Sequence, residues 1–376
     1  MTAMRQKPKI VTIVGTRPEL IRLSRVIPLF DRLFSHVLVH TGQNADPRLK
    51  DIFLSELGLR NPDRYFDVPV TSNARMLADL LVKTEDLLKQ EKPDAMLLLG
   101  DTNSALSCII ARKMGVPVFH LEAGNRCFDA ESPEEINRRI VDHTCDYNIA
   151  YTEAARRNLL REGLHPQRTL VMGSPLREVI DHYKDAIAAS GVLAALALAP
   201  GQYIAASLHR QESVDDAGRL AGLLQALRDI HAMTGLPVVL STHPRTRQRI
   251  EAQAKPVAAN DAGLRFLPPF GFFDWCHLQQ QAACVVSDSG TVSEEAAMLG
   301  FAAVTPRKSM ERPEAIEHGC VILSGLEPAQ VTAAVAQALE LGAGAAVPAE
   351  YQVRDFSRRI ATLVGAACRL PRGGNA

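Results

Sequence analysis

The segment 118–143 carries the side chains best suited to acid–base chemistry. It reads VFHLEAGNRCFDAESPEEINRRIVDH, and Glu122 follows a short apolar strand pattern just before Ala123 and Gly124, small residues that let a ligand approach the backbone. Glu134 then opens a helical pattern, so carboxylates reach one place from two elements. A solvated charge run is the alternative. Because Glu122 ends a buried strand pattern, the functional interpretation is favoured.

Two histidines close strand patterns in the second half of the chain. His209 stands in HRQES and His243 in STHPR, with Arg210 and Arg245 close by. A single histidine is usually structural. Two histidines at matching strand ends beside arginines indicate phosphate binding and acid–base roles.

Two strand-to-helix turns have the composition of phosphate-binding loops. In GTRPE, Gly15 lets the backbone turn and Arg17 can donate twice to a phosphate at a helix start. In SDSGTVSEEA, Ser289 and Gly290 present N–H groups to a diphosphate, and Glu295 could accept both hydroxyls of a ribose. A surface arginine in a tight turn and simple N-capping are the respective alternatives.

Aromatic residues precede the second loop and could form the walls of a base pocket. Trp275 is the largest of them, although aromatic side chains more often belong to a core. The chain lacks GxGxxG, HExxH, GxxxxGK[ST], GxSxG and the EF-hand loop, so neither a metal nor an organic cofactor is expected.

A repeated succession of strand, polar loop and helix along the sequence must position these groups. It predicts doubly wound parallel sheets, whose ligands lie beyond the carboxyl ends of the strands. The predicted strands are 10–14, 37–40, 96–99, 116–120, 147–151 and 169–172 in the first half, and 203–207, 238–240, 264–267, 285–286 and 302–304 in the second.

The chain length of 376 residues favours two domains. The alanine-rich segment 184–200, which ends in Pro-Gly, is the predicted linker. We therefore expect an N-terminal Rossmann-like domain at 1–185 and a C-terminal one at 200–353. The last amphipathic helix, in 354–376, is expected to pack back on the first domain.

Composition excludes several classes of partner. Lys plus Arg and Asp plus Glu number 42 each, so no global field recruits nucleic acid or an anionic membrane. The seven cysteines form no CxxC pair, which favours the reduced thiols of a cytosolic protein. No signal h-region and no apolar run of roughly 18 residues is present. A soluble cytoplasmic protein is predicted.

Taken together, the motifs resemble those of the non-hydrolysing UDP-N-acetylglucosamine 2-epimerase family over residues 9–330. The resemblance implies two Rossmann domains in a glycosyltransferase-B-like fold, a homodimer, no cofactor, and a cleft that binds a UDP-sugar. The motifs are GTRPE (15–19), TGQ (41–43), GDT (100–102), HLEAG (120–124), SPEEINRR (132–139), HR (209–210), HP (243–244), DSG with EE (288–290, 294–295) and ERPEA (311–315).

The resemblance also implies roles for individual residues. Asp101, Glu122 and Glu134 would be the catalytic acids and bases, with His209 near the diphosphate or leaving group. Arg22 stands where the family usually has a lysine. The predicted substrate-binding set is Arg17, Arg22, His243, Trp275, Ser289, Gly290, Glu295 and Arg312.

Departures from the usual family pattern indicate a branch. EAGNRCFD, TGQN, IRLSRV, NRRIVDH and STHPRTR resemble enzymes that convert UDP-2-acetamido-2,6-dideoxy-L-talose to UDP-N-acetyl-L-fucosamine for surface polysaccharide. Cys127 and Phe128 could contact the 6-methyl group. TGQN also changes the region where bacterial members bind a second, activating UDP-sugar. The alternatives are a UDP-GlcNAc/UDP-ManNAc 2-epimerase, a hydrolysing epimerase, a retaining glycosyltransferase of the same fold, and a non-catalytic nucleotide-sugar sensor.

Overall fold

The structure, a computed structural model, describes residues 7–42, 54–68, 72–129, 132–252, 260–261 and 263–369. These residues form two units. Unit 1 comprises the described residues up to 126, then 132–181 and those from 352 onward; unit 2 comprises 127–129 and the described residues of 182–351.

Unit 1 alternates strands and helices. Its elements are β1 (Lys9–Val14), α1 (Arg17–Leu23), α2 (Val26–Leu33), β2 (Ser35–His40), β3 (Arg64–Tyr65), α3 (Asn73–Glu91), β4 (Ala95–Leu99), a 3₁₀ turn (Asn103–Ser107), α4 (Cys108–Lys113), β5 (Val118–Leu121), α5 (Pro133–Thr144), β6 (Tyr147–Ala150), α6 (Glu153–Arg161), a 3₁₀ turn (Pro166–Arg168), β7 (Thr169–Val171) and the start of α7 (Leu176–Ala188).

The described strands of unit 1 form a parallel sheet in the order β3-β2-β1-β4-β5-β6-β7. β4 is AMLLL and fully buried, as expected for a strand with helices on both faces of its sheet. The strand order reverses between β1 and β4, so the loops that follow these two strands diverge and leave a crevice. GTRPE and GDT occupy those two loops.

Local signals explain where the helices of unit 1 begin. Ser72 caps α3 by accepting a 3.2 Å hydrogen bond from the N–H of Arg75. Pro133 starts α5, and Glu134 in its first turn suits the positive end of the helix dipole.

Unit 2 has the same alternation. Its elements are the end of α7, α8 (Val192–Ala195), β8 (Ile204–Ser207), α9 (Gln211–Val214), α10 (Ala217–Thr234), β9 (Val238–Ser241), α11 (Pro244–Glu251), β10 (Asn260–Asp261), β11 (Leu264–Leu267), α12 (Phe272–Gln281), β12 (Cys284–Ser287), α13 (Val292–Leu299), β13 (Ala303–Thr305), α14 (Pro313–Glu317), β14 (Ile322–Leu323), α15 (Pro328–Leu341) and most of a 3₁₀ turn (Ala349–Gln352). The chain then returns to unit 1 as α16 (Phe356–Ala367), which packs on α2.

The described strands of unit 2 form a sheet in the order β10-β11-β9-β8-β12-β13-β14, parallel except for the short β10–β11 pair. Its strand order reverses between β8 and β12. HRQES and SDSGT follow these two strands. The predicted fold class, two doubly wound parallel-sheet domains, is confirmed. Within the described ranges, no helix combines the length and apolarity that crossing a membrane requires.

Candidate active site

The loop after β1 packs directly against the loop after β4. A Cβ at Gly15 would lie 2.0 Å from Ser104 Oγ and 2.7 Å from Thr41 Oγ1, so only glycine fits this position. The two hydroxyls are themselves 2.8 Å apart. The GTRPE turn is therefore packed against the 3₁₀ turn that follows GDT and against Thr41, which follows β2.

Glu19, the last residue of GTRPE, joins these loops. Its Oε2 accepts from the N–H of Gly15 (2.8 Å), and its Oε1 accepts from Thr16 Oγ1 (2.9 Å) and Thr102 Oγ1 (3.0 Å). Burial, with a smaller contribution from the charge of Asp101, raises the pKa of Glu19 to about 7 despite these hydrogen bonds. Sequence reasoning missed this role, although threonines beside two strand ends were a visible signal.

Asp101 is held by two side chains of α5. The guanidinium of Arg138 contacts Asp101 Oδ2 through both Nε and Nη2, each at 2.8 Å. Asn137 Nδ2 donates to the Asp101 carbonyl at 2.9 Å. The Asp101 side chain keeps 28% exposure. The carboxylate is thus oriented from within the protein and still accessible.

Glu122 lies at the end of β5, next to the strand that leads to Asp101. Its φ of +69° is a left-handed conformation that non-glycine residues seldom adopt and that often marks functional sites. Its Oε2 is 3.6 Å from Arg22 Nη1, and its Oε1 accepts from Asn125 Nδ2 at 3.3 Å. A Cβ on Gly100 would lie 3.7 Å from that Oε2, so the carboxylate sits over the loop that carries Asp101.

Glu134 occupies the first turn of α5 and is half-buried. Ser132 Oγ donates to its Oε2 at 3.1 Å. Residues three and four positions apart share a helix face, so Glu134 is on the side of α5 that carries Asn137 and Arg138. Both of those side chains bond to Asp101, which places Glu134 on the helix face turned toward the GDT loop.

The other predicted unit 1 contact, Arg17, is the first residue of α1. Its side chain is partly buried, and burial lowers the pKa of its guanidinium. Gln43 and Asn44 of TGQN lie outside the described residues.

In unit 2, His209 forms a pair with Asp288 from the neighbouring strand end. His209 Nδ1 is 3.1 Å from Asp288 Oδ1, and the Asp288 carboxylate also accepts from the backbone N–H of His209 and of Arg210 at 3.0 Å. Burial alone would raise the pKa of Asp288, but the His209 ring and the Arg210 N–H outweigh it and hold the pKa below its ordinary value. The ring of His209 is 37% exposed. Sequence reasoning singled out His209 and missed its carboxylate partner.

The Ser289–Gly290 turn is bordered by two arginines. Arg312 Nη1 donates to the Gly290 carbonyl at 2.6 Å, and its Nε contacts Glu294 at 3.1 Å. A Cβ at Gly290 would lie 3.0 Å from Arg210 Nη2. Arg312 therefore lies beside the Ser289–Gly290 turn and supports its backbone, and Arg210 is a cation at this turn that the predicted set omits.

The carboxylate of Glu295 already has partners on both oxygens. Thr291 Oγ1 donates to Oε1 at 2.7 Å and Gln279 Nε2 donates to Oε2 at 2.7 Å, and the residue is buried. Both oxygens are therefore held from within unit 2, and each retains a further lone pair that can accept a hydrogen bond.

His243 and Trp275 complete the predicted set. His243 caps α11 by accepting from the Arg245 N–H at 3.3 Å, and its ring centre is 6.1 Å from that of His209. The Trp275 ring stacks on Phe270, with centroids 6.1 Å apart and an interplanar angle of 14°.

Of the pair expected to contact a sugar methyl group, only Phe128 offers surface. Phe128 is 71% exposed and has a φ of +54°, whereas Cys127 is 7% exposed. Cys127 is thus largely enclosed within unit 2, and Phe128 is the more accessible of the two side chains.

The fold and these strand-end groups define a two-Rossmann-domain protein of the glycosyltransferase-B-like class. A family model described as UDP-N-acetylglucosamine 2-epimerase matches residues 30–365. The chain belongs to this family and is an isomerase of the UDP-sugar 2-epimerase class.

Known proteins are similar over most of the chain. The UDP-2,3-diacetamido-2,3-dideoxy-D-glucuronate 2-epimerase of Pseudomonas aeruginosa is 35% identical over 323 residues, 84% of this chain and 88% of that protein. The structure of UDP-N-acetylglucosamine 2-epimerase from Rickettsia bellii has a TM-score of 0.90 and 41% identity, covering 96% of this chain and 97% of that one. The Methanocaldococcus jannaschii UDP-GlcNAc 2-epimerase, in complex with UDP-GlcNAc and UDP, has a TM-score of 0.87 and 30% identity, covering 94% and 99%.

Proposed function

We propose that this chain inverts C2 of a UDP-2-acetamido sugar by eliminating UDP and adding it back. The observation that carries the proposal is the placement of Asp101 and Glu122 at adjacent strand ends of unit 1, each beside an arginine. Membership of the family, and the complex of the M. jannaschii enzyme with UDP-GlcNAc and UDP, support UDP-sugar as the substrate class.

The chemistry explains why several carboxylates are needed. The C2 hydrogen is weakly acidic, so its removal requires a positioned base and a leaving group that departs with the electrons. UDP on C1 is that leaving group, and its loss gives a 2-acetamido glycal. Addition of UDP with return of a proton to the other face of C2 completes the inversion. Acid–base groups are therefore needed on both faces of the sugar.

We assign these roles to Asp101, Glu122 and Glu134. Arg138 and Arg22 supply a positive charge beside each of the first two carboxylates and hold it in place, as a positioned base requires. Glu134 is the remaining proton donor or acceptor.

His209 is assigned to the departing diphosphate. Asp288 accepts from Nδ1 and so fixes the orientation of the ring, which in its protonated form can stabilise negative charge on UDP. The remaining assignments concern binding: Ser289, Gly290, Arg312, Arg17 and His243 bind the diphosphate, Glu295 the ribose, Trp275 the base, and Arg22 the sugar side.

We further propose that the substrate is the 6-deoxy-L-sugar pair, UDP-2-acetamido-2,6-dideoxy-L-talose and UDP-N-acetyl-L-fucosamine, for surface polysaccharide. EAGNRCFD and the exposed Phe128 support this choice, since a methyl group favours an apolar contact. One methyl-sized contact discriminates only about 10–200-fold, so ring configuration must supply the rest. The UDP-GlcNAc/UDP-ManNAc pair is the alternative.

One experiment tests both levels of this proposal. The protein is incubated in deuterated water with each UDP-sugar pair, and C2 is followed by NMR. We expect deuterium at C2 together with the epimer, and much higher kcat/KM on the L-sugars. Equal or better activity on UDP-GlcNAc would overturn the branch assignment alone. Free sugar would indicate a hydrolysing epimerase, and absence of exchange with every pair would favour a glycosyltransferase or a sensor.

We also propose that the protein works as a cytoplasmic homodimer. Three helices that pack together in unit 1, α3, α4 and α5, carry or precede exposed apolar side chains: Val82 (57%), Met114 (38%), Ile136 (63%) and Ile140 (38%). The seven cysteines are thiols, which suits a reducing compartment. Light scattering should give twice the chain mass for the wild type and the single mass for I136E/I140E. I316E, at an exposed position of unit 2, is the matched control.

A further inference from the structure

The ring of His120, in the middle of HLEAG, is clamped between two hydrogen-bond acceptors. Nδ1 lies 2.8 Å from Asp142 Oδ1, and Nε2 lies 2.8 Å from the carbonyl oxygen of Gly100. The side chain is 2% exposed. A carbonyl oxygen can only accept, so Nε2 must carry a hydrogen. The state of Nδ1 then depends on whether Asp142 is ionised.

The surroundings of Asp142 require a carboxylate. Its Oδ2 accepts from Arg126 Nη1 at 2.8 Å and from the Gly124 N–H at 3.2 Å, and the side chain is fully buried. A protonated acid would leave this arginine without a negative partner at that oxygen, which is costly in a buried site. Nδ1 therefore also donates, and His120 is an imidazolium with both ring nitrogens protonated.

The charges around this imidazolium are balanced. Arg126 also forms a two-pronged ion pair with Glu162 (2.8 and 2.7 Å), and His143 Nε2 contacts the same carboxylate at 3.0 Å. The Cys108 thiol of α4 is the other titratable neighbour of His120. Burial by itself lowers the pKa of His120, but Asp142 and the Gly100 carbonyl outweigh it and raise the pKa above its ordinary value.

The hydrogen bond from His120 to Gly100 connects the two loops that carry Asp101 and Glu122. Gly100 immediately precedes Asp101, and His120 lies two residues before Glu122. Gly100 and Glu122 both have left-handed backbones, with φ of +77° and +69°. The hydrogen bond to Gly100 therefore fixes the orientation of the peptide group between Gly100 and Asp101. It also fixes the distance of this peptide group from β5, the strand that Glu122 follows.

We propose that His120 is a positioning residue for the epimerisation, acting as a buried imidazolium, protonated on both ring nitrogens, that fixes the Asp101 loop relative to the Glu122 loop. This inference rests on the proposed function for its catalytic consequence. The double protonation of the ring does not depend on the proposed function.

The first test is NMR of the full chain with ¹⁵N-labelled histidine, using H120Q to assign the signals. We expect His120 to show two protonated ring nitrogens at pH 7, with both N–H protons protected from exchange. A ring nitrogen without a proton at pH 7 would overturn the proposal. This readout does not depend on any activity, so it stays informative if the epimerase assignment fails.

The second test separates positioning from binding. H120Q should lower kcat about 100-fold, the order of loss expected when reacting groups are misplaced by about 1 Å, while KM changes less than about threefold. D142N keeps the size of the side chain and should lower kcat in the same way. H143Q is the matched control, since His143 is 48% exposed and contacts only the outer carboxylate of this network. An active wild type with unchanged kcat in both H120Q and D142N would refute the positioning role and leave the epimerase assignment intact.

Discussion

At the scale of residues, cations lie beside two of the three proposed acid–base carboxylates. Asp101 and Glu122 are each contacted by an arginine from a different helix, Arg138 of α5 and Arg22 of α1. These pairings could not be predicted from sequence, because Asp101 and Arg138 are 37 positions apart and a local pattern carries no information on such contacts. The positions of these carboxylates relative to the strands and helices could be predicted, since Asp101 and Glu122 follow recognisable strands and Glu134 opens a recognisable helix.

Neutral substitutes of the three carboxylates test their assignment. D101N, E122Q and E134Q should each lower turnover by about 10²–10⁴-fold, the usual contribution of a general acid or base, with UDP affinity nearly unchanged. Turnover is followed by NMR and UDP binding by calorimetry. E153Q, at an exposed position in the first turn of α6, serves as control. Wild-type turnover in all three variants would refute the assignment.

Glu19 gives a pH-dependent prediction. Its pKa is about 7 in the folded chain against an ordinary value of 4.5, so folding favours the protonated form and stability falls as pH rises between these values. Glutamine does not titrate. The free energy of unfolding of E19Q, taken relative to that of the wild type, should therefore increase by roughly 3 kcal/mol between about pH 4 and about pH 8. Urea unfolding followed by circular dichroism measures this difference, and a pH-independent difference would contradict the burial effect.

At the scale of elements, both units place their polar loops where the strand order reverses. The position of the polar loops after the strands could be predicted, since apolar runs followed by glycine and polar residues mark the carboxyl ends of parallel strands. The strand order, and so the place where it reverses, could not. The internal partners of Glu295 and Arg312 were beyond prediction. They depend on how α12, α13 and the segment before α14 approach one another in three dimensions.

The nucleotide assignment in unit 2 can be tested at this scale. E295A and R312A should each weaken UDP binding by about 1.5–3 kcal/mol, the usual loss for a charge-assisted hydrogen bond. Calorimetry with UDP measures the change. E317A, at an exposed position on α14, is expected to bind UDP like the wild type. Unchanged affinity in both site variants would place the nucleotide elsewhere.

At the scale of the whole molecule, the main passage from unit 1 to unit 2 lies within α7, and the chain returns to unit 1 just before α16. Phe356, Ile360 and Val364 of α16 are fully buried, and the N–H of Ser357 donates to Glu178 of α7 at 2.8 Å. The last helix is therefore part of the core of unit 1. The sequence indicated this helix through its amphipathic pattern, but its partner α2 is more than 300 positions away, a separation that local patterns do not encode.

A single substitution tests the importance of α16. I360A should destabilise unit 1 by about 2–5 kcal/mol, because it removes a fully buried side chain and leaves a cavity. T362A, two residues along at an exposed position, should stay within about 0.5 kcal/mol of the wild type. Thermal unfolding of the two variants measures the difference, and equal midpoints would contradict this role of α16.

The return of α16 means that, in sequence terms, the main part of unit 2, residues 182–351, is an insertion within unit 1. Shuffling between family members by a single crossover would therefore pair most of one unit 1 with the last helix of another, a mismatched core. A recombinant that exchanges residues 182–351 of unit 2 as one block needs two junctions, one inside α7 and one just before α16. When such recombinants are selected for activity, we expect substitutions that compensate for the mismatched core to occur in the 3₁₀ turn Ala349–Gln352 and in α16.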